Sequence, residues 1–182
     1  LFGVMPWNFP LWQVVRFAVP ALLSGNAIVL KHAAMTFGSA EFIADLFRSA
    51  FPDGLYQNLL IDHDLSARLI ADRRIKGVSL TGSRRAGVTV GELAGKHLKK
   101  CVLELGGSDA YVILDDADID HAAKTCAAGR LVNAGQSCVA AKRFIVTKKN
   151  AEEFTAKLAA EMRAAKNIAP MAREDLRAEL QK

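Results

Sequence analysis

The sequence predicts an α/β protein built around a mostly parallel sheet. Along its 182 residues, short apolar runs typical of buried strands alternate with segments whose apolar residues recur at helical spacing. The links between these segments are short, which favours parallel strands with helices packed on both faces of the sheet. The chain is long enough for one large domain or two small ones. Its hydrophobic share of 51%, with 24% charged residues, is ordinary for a folded globular protein.

The first half of the chain begins with residues 1–10, which are apolar, contain two prolines and are assigned to no element. Residues 11–23 have helical spacing, and Pro20 is expected to kink or restart that helix. A short buried strand is expected over residues 27–30. Thr36 is expected to cap the next helix. The apolar face of that helix comprises Phe37, Ala40, Ile43, Ala44, Phe47 and Ala50.

The alternation continues after a turn at Pro52-Asp53-Gly54, where proline fixes φ and the next two residues favour tight backbone. Residues 171–182 are charged and are expected to stop in mid-element. Further strands are expected over residues 56–61, 75–80, 101–105, 111–114 and 143–147. Further helices are expected over residues 65–72, from Thr81-Gly82-Ser83 to about residue 97, and over residues 118–131 and 151–165.

Composition excludes several classes of protein. The net charge is +5, but the basic residues are dispersed, so nucleic-acid binding is not expected. No apolar run reaches the length of a membrane span, and the start lacks the basic segment of a signal peptide. Cys101, Cys126 and Cys138 show neither disulfide nor metal-binding spacing. Such sparse cysteines suit reduced thiols in the cytoplasm.

The residues that carry chemistry centre on Cys138, in a loop of small residues over positions 133–140. Gly135 permits a turn that presents the thiol at the end of an element. Upstream, Glu104 precedes two glycines and could serve as a base. Two alternatives stay open. A lone cysteine among small residues is often an inert, buried side chain, and Glu104 could be a structural carboxylate that accepts backbone amides.

Four motifs stand in order along the chain. They are Met5-Pro6-Trp7-Asn8-Phe9-Pro10, Gly25-Asn26 leading through a strand to Lys31, Glu104-Leu105-Gly106-Gly107, and Gly135-Gln136-Ser137-Cys138, whose cysteine lies 34 residues after Glu104. Together they resemble the aldehyde dehydrogenase superfamily. Within it, Trp12-Gln13, Lys31-His32-Ala33 and residues 99–104 are similar to bacterial succinate-semialdehyde dehydrogenases.

The resemblance implies that residues 1–105 are part of a Rossmann-like NAD(P)-binding domain and residues 106–182 the N-terminal part of an α/β catalytic domain. It also implies the NAD(P)-dependent oxidation of an aldehyde, expected to be succinate semialdehyde, through a cysteine thiohemiacetal and a thioester. Because members of the family are longer at both ends, we expect an internal fragment of a homo-oligomeric protein, inactive alone. The alternative is a non-catalytic remnant that binds at most a dinucleotide or a partner chain.

The resemblance assigns three catalytic roles. Cys138 would attack the aldehyde as a thiolate, which is the nucleophilic form of cysteine. The side-chain amide of Asn8 and the backbone amide of Cys138 would hold the oxyanion that forms, although Asn8, which lies between Pro6 and Pro10, could simply be a turn residue. Glu104 would be the general base for the water that hydrolyses the thioester.

The resemblance also assigns a set of residues to NAD or NADP. Gly82 and Gly87 have G-x-x-x-x-G spacing where a helix N-terminus could receive a pyrophosphate, which alone is a weak signal. Lys31 would reach the adenosine ribose or else face solvent. Many relatives carry glutamate where Ala34 stands, so NADP should be tolerated. His32 would add a donor or be an ordinary surface histidine. The implied set is Trp7, Asn8, Lys31, His32, Ala34, Gly82, Ser83 and Leu105.

The resemblance points to Arg16 as the group that holds the far carboxylate of the substrate. A guanidinium suits that task because it can pair with both carboxylate oxygens. A surface arginine is the alternative. Some relatives have a second arginine where Val132 stands here. Cys101 and Cys126 are expected to be core residues, and no metal is expected.

Overall fold

The computed structural model of the chain describes residues 1–165. The chain divides into two compact units, Leu1–Gly106 and a second that begins at Gly107. The predicted break in mid-element within residues 171–182 lies outside the described residues. Among the residues that the structure describes, no helix is long and apolar enough to cross a membrane.

The first unit is a five-stranded sheet in which every neighbouring pair of strands is parallel. The strand order is β3-β2-β1-β4-β5. The strands are β1 Phe2–Met5, β2 Ile28–His32, β3 Tyr56–Asn58, β4 Gly77–Thr81 and β5 Lys100–Glu104. The helices are α1 Trp12–Leu23, α2 Phe37–Ala50, α3 His63–Ala71 and α4 Arg84–Lys96, with a short 3₁₀ turn at Ala34–Thr36. The predicted α/β class with a parallel sheet is confirmed.

The central strand of this sheet, β1, is an element that the sequence did not reveal. It pairs with β2 on one side and with β4 on the other, and its Phe2 and Met5 are almost completely buried. A four-residue strand close to two prolines shows too little periodicity to be recognised. The first ten residues therefore form the middle of the sheet and the loop that follows it.

Helices cover the sheet on two faces, each with its own hydrophobic core. Met5 joins the core beneath α1 and α2, whereas Phe2 joins the core beneath α3 and α4, as expected where side chains alternate along a strand. Val78 and Leu80 point toward α3 and α4. The alternate residues of β4 and β5 consequently face the side on which α1 lies. They line a groove beside that helix.

Local details differ from the predictions in three places. Helix α1 is continuous through Pro20, with no restart. Thr36 stands at the N-cap of α2, but its hydroxyl donates to the Ala33 carbonyl (3.0 Å) instead of accepting from the helix. The predicted cap is therefore wrong, because a 3₁₀ turn precedes the helix and offers a nearer acceptor. Strand β3 ends at Asn58 rather than at residue 61.

Within residues 107–165, the second unit contains a two-stranded parallel sheet and two helices. Strands β6 Ala110–Ile113 and β7 Arg143–Val146 pair in register, and helix α5 Ile119–Leu131 connects them through a 3₁₀ turn at Val132–Gly135. Helix α6 spans Ala151–Ala164. The hydrophobic core of the second unit contains Ile113, Ile119, Cys126, Ala127, Phe154, Leu158 and Met162. The cysteine loop follows α5, as predicted, and its first residues form the 3₁₀ turn at Val132–Gly135.

Candidate active site

The candidate residues of the first unit follow the carboxyl ends of parallel strands. Because parallel strands end at one edge of a sheet, residues far apart in sequence meet there. Trp7 and Asn8 come after β1, Lys31, His32 and Ala34 end or follow β2, Gly82 and Ser83 follow β4, and Glu104 and Leu105 end or follow β5. The fold thus gathers these eight positions and Glu104 along one edge.

The strand order predicts where a ligand would bind along that edge. The chain passes from β1 to β2 and β3 on one side, and later to β4 and β5 on the other. The switch point lies between β1 and β4, where helices leave on opposite faces and ligands of open α/β sheets bind. The loop with Trp7, which is 46% exposed, follows one of these strands. The Gly82-Ser83 turn follows the other.

The turn between β4 and α4 is built to expose a helix N-terminus. The Ser83 hydroxyl accepts from the amide of Ala86 (3.2 Å) and caps α4. The Gly82 amide donates to the Glu104 carbonyl (2.9 Å), which ties the turn to the end of β5. The second glycine of the predicted spacing serves packing, because a Cβ on Gly87 would lie 2.7 Å from the Leu105 methyls.

Lys31 is buried, with 5% of its surface exposed, so the solvent-facing alternative is wrong. Its ammonium donates to the carbonyl of His32 (3.1 Å). Burial lowers the pKa of Lys31, and the charge of Asp62 partly offsets that effect. Ala34, by contrast, is exposed in the 3₁₀ turn just beyond the strand.

His32 is completely buried, so it is not a surface histidine, and its ring has no exposed atom with which to meet a phosphate. Its Nε2 lies 3.0 Å from the Pro10 carbonyl, in the loop that carries Asn8. Burial lowers the pKa of His32, while the Pro10 carbonyl and the Asn58 side chain act in the opposite direction. A neutral ring that donates from Nε2 therefore anchors the loop after β1 to the end of β2.

The loop before Cys138 has an unusual backbone. Asn133, Ala134 and Gly135 all have positive φ, at 51°, 57° and 79°. The predicted turn at Gly135 is confirmed. A side chain would be strained there, and a Cβ would also lie 2.7 Å from Nη1 of Arg130. Left-handed backbone at two non-glycine residues is sparsely populated and typical of functional loops.

The ammonium of Lys142 connects carbonyl groups of the cysteine loop, a role that the sequence did not predict. Its ammonium donates to the carbonyls of Ser137 (3.3 Å), Cys138 (2.8 Å) and Ala140 (3.2 Å). One cation thus gathers three carbonyls and fixes the curvature of the loop around the cysteine. A lysine just after a run of small residues was the available signal, but sequence spacing does not show where an ammonium points.

The three cysteines are free thiols in different surroundings. Cys126 is 3% exposed in the core of the second unit, and Cys101 packs against a core of the first. Burial raises the pKa of both thiols, which makes the thiolate scarcer. Cys138 is partly exposed, so the fully buried alternative does not hold for it.

Arg16 and Glu104 form an ion pair in the groove beside α1. Nη2 of Arg16 lies 3.1 Å from Oε1 of Glu104, and the side chains are 48% and 45% exposed. The Glu104 carboxylate therefore accepts from a guanidinium, not from the glycine amides that the structural alternative required. The groove has a volume of about 470 Å³. Its walls include Gln13, Phe17, Pro20, Thr81 and Val102.

No group of three or more His, Cys, Asp or Glu side chains within residues 1–165 is placed to hold a metal ion.

These features define the class of the protein: the chain belongs to the aldehyde dehydrogenase family, whose sequence profile, described as "Aldehyde dehydrogenase family", matches residues 1–176. Among its relatives, the "Succinate semialdehyde dehydrogenase [NAD(P)+] Sad" of Escherichia coli (strain K12) is 49% identical over 190 aligned positions, covering 99% of this chain and 41% of the relative. A "Succinate-semialdehyde dehydrogenase [NADP(+)]" of Deinococcus radiodurans is 51% identical over 159 positions, covering 87% of this chain and 33% of the relative.

Solved structures agree with this membership. The succinic semialdehyde dehydrogenase of Streptococcus pyogenes, in complex with NADP+, has a TM-score of 0.87 at 44% identity, covering 93% of this chain and 38% of that one. Lactaldehyde dehydrogenase from Escherichia coli has a TM-score of 0.86 at 34% identity, covering 91% and 35%. The chain spans about two fifths or less of the length of these relatives.

Proposed function

We propose that this protein oxidises succinate semialdehyde to succinate with NAD or NADP as cofactor. The observation that carries the proposal is the placement of Arg16, a half-exposed cation in the same groove as the candidate base Glu104. The similarity to succinate-semialdehyde dehydrogenases that use NAD(P)+ or NADP+ supports the substrate and the cofactor. We assign residues 1–105 to the cofactor domain and residues 106–182 to the catalytic domain of a cytoplasmic homo-oligomer.

In this proposal Cys138 is the nucleophile. Its thiolate attacks the aldehyde carbon, and the carbonyl oxygen becomes an oxyanion. The carbonyls around the cysteine are turned toward the Lys142 ammonium, which holds the loop in one conformation before substrate arrives. Because the loop is already ordered, the reaction does not have to pay the entropic cost of ordering it.

Asn8 and Glu104 act in the steps that follow the attack of Cys138: Asn8 stabilises the oxyanion, and Glu104 activates the hydrolytic water. The side-chain amide of Asn8, together with the amide of Cys138, donates to the oxyanion, a contribution typically worth about 3–4 kcal/mol per donor. The hydrogen bond from His32 to the Pro10 carbonyl anchors the loop that carries Asn8, which supports this role. Glu104 takes a proton from the water that hydrolyses the thioester, which releases the acid and restores the thiol.

The carboxyl edge of the first unit fits a dinucleotide. The switch point of the sheet lies at this edge. The N-terminus of α4 begins there behind Ser83, and amides at such a terminus favour phosphate. A dinucleotide held by these residues would supply the acceptor for the hydride of the substrate. Trp7, Lys31 and Leu105 complete the proposed set of contacts, and we assign Lys31 to the ribose, which requires its ammonium to leave the His32 carbonyl.

Cofactor preference can be tested at Ala34, which is exposed at the end of β2. A carboxylate there repels a 2′-phosphate, so Ala34→Glu should lower kcat/KM for NADP by about tenfold or more and leave the value for NAD nearly unchanged. Met35→Glu is the matched control, because it adds the same charge at the neighbouring exposed position. An unmodified protein that ignores NADP, or equal losses for both cofactors, would contradict the proposal.

Substrate choice can be tested at Arg16. Arg16→Met keeps much of the apolar stem but removes the charge, so the KM for succinate semialdehyde should rise about 10- to 100-fold. The KM for butanal, which has no carboxylate, should change little. Arg48→Met is the control, since Arg48 forms another exposed ion pair in the same unit, with Asp45. Similar losses on both aldehydes would show that Arg16 supports the helix rather than the substrate.

A further inference from the structure

Two residues with different proposed tasks are engaged with each other. Arg16 comes from α1 and Glu104 is the last residue of β5, so their 3.1 Å contact joins two separate elements across the groove. Under the proposed function, Arg16 holds a substrate carboxylate and Glu104 accepts a proton from water. A substrate carboxylate therefore competes with Glu104 for the same guanidinium.

The contact restrains Glu104 in space. While Nη2 of Arg16 holds Oε1 of Glu104, the carboxylate stays beside α1. It can turn toward a water molecule elsewhere only when that contact is released. Arg16, in turn, offers the substrate a charge that another carboxylate already partly neutralises.

The pair is weak enough to be exchanged. Both partners are about half exposed, and ion pairs of this kind shift a population by about fivefold at most. Among the described contacts, Arg16 uses one N–H to reach Glu104, whereas a guanidinium can pair with both oxygens of a carboxylate. A substrate carboxylate tethered through its aldehyde end also arrives at high effective concentration.

We propose that binding of an acidic substrate to Arg16 releases Glu104 from its ion pair with Arg16. Without an acidic substrate Arg16 holds the Glu104 side chain, and the distal carboxylate of the substrate takes the place of Glu104 and frees it. The freed carboxylate accepts one proton as the water oxygen bonds to the thioester carbon, and the C–S bond breaks with its electron pair left on the Cys138 sulfur. This inference rests on the proposed function. The expected consequence is that an acyl-enzyme without a distal carboxylate is hydrolysed slowly.

The test supplies the two ends of the substrate separately. An acetyl group on Cys138 represents the acyl end, and free acetate represents the distal carboxylate. The protein, expressed at the full length of its gene, is acetylated by rapid mixing with p-nitrophenyl acetate, and the decay of the acetyl-enzyme is followed with sodium acetate or sodium chloride at one ionic strength. Acetate should speed the decay about three- to fivefold. In Arg16→Met the decay should be fast without acetate and insensitive to it. Arg48→Met should keep the acetate response.

The outcomes separate this inference from the proposed function. Decay that ignores acetate in the unmodified protein, and that Arg16→Met does not accelerate, would overturn the release. If Arg16→Met nevertheless raises the KM for succinate semialdehyde, Arg16 is a substrate anchor and nothing more. An unchanged KM would show that Arg16 does not bind the substrate carboxylate, which would contradict the proposed function. The acetate response of the unmodified protein needs no variant, so the release stays testable if Arg16→Met does not fold.

Discussion

Replacing Cys138 by serine is expected to lower aldehyde oxidation by about a thousandfold or more, since a serine hydroxyl without a dedicated base is a far weaker nucleophile than a thiolate. The fold should survive, because the side chain is partly exposed and serine is similar in size. The Lys142 contacts reach backbone carbonyls, which serine retains. The measured quantity is the rate of cofactor reduction at saturating aldehyde.

Labelling with iodoacetamide identifies the reactive thiol independently of turnover. Cys138 should be modified first, because burial raises the pKa values of Cys101 and Cys126 and so lowers their thiolate fractions. Cys101→Ser is the matched control and should keep nearly full activity. Preferential labelling of Cys101, with Cys138→Ser still active, would reject the assignment. Cofactor binding without any acylation would instead favour the non-catalytic alternative.

The sequence was informative about the sheet edge because parallel strands impose their own geometry. Once strands are recognised before Lys31, Gly82 and Leu105, their carboxyl ends must lie side by side. The family resemblance was needed to see that Trp7 and Asn8 belong to the same edge. Strand β1, which precedes them, has four residues and no recognisable pattern of its own.

The supporting contacts were not predictable, because they depend on the direction of single side chains. A histidine beside a lysine suggests a polar surface, yet His32 is completely buried and binds the Pro10 carbonyl. Lys142 likewise gathers three carbonyls of its own loop. The ion pair between Arg16 and Glu104 spans 88 residues of sequence. Spacing places such residues on elements, whereas packing decides which atoms they meet.

Replacing Glu104 by glutamine is expected to separate the two halves of the reaction. The amide oxygen of glutamine can still accept from Arg16, so the groove should keep its shape, but the side chain can no longer take a proton from water. Acylation, which does not need that proton transfer, should still give a rapid burst of reduced cofactor. Steady turnover should fall about 100-fold or more, in the range of a lost general base.

Stopped-flow measurement of cofactor reduction shows both phases in one trace. A burst of one equivalent per active site followed by a slow phase places Glu104 after hydride transfer. Glu92→Gln is the matched control, because Glu92 is exposed on α4 in the same unit and its loss should alter neither phase. A Glu104→Gln protein without a burst would mean that the carboxylate acts before the thioester forms, for instance on the thiol. The slow phase should also be insensitive to acetate, because releasing a side chain that cannot accept a proton has nothing to accelerate.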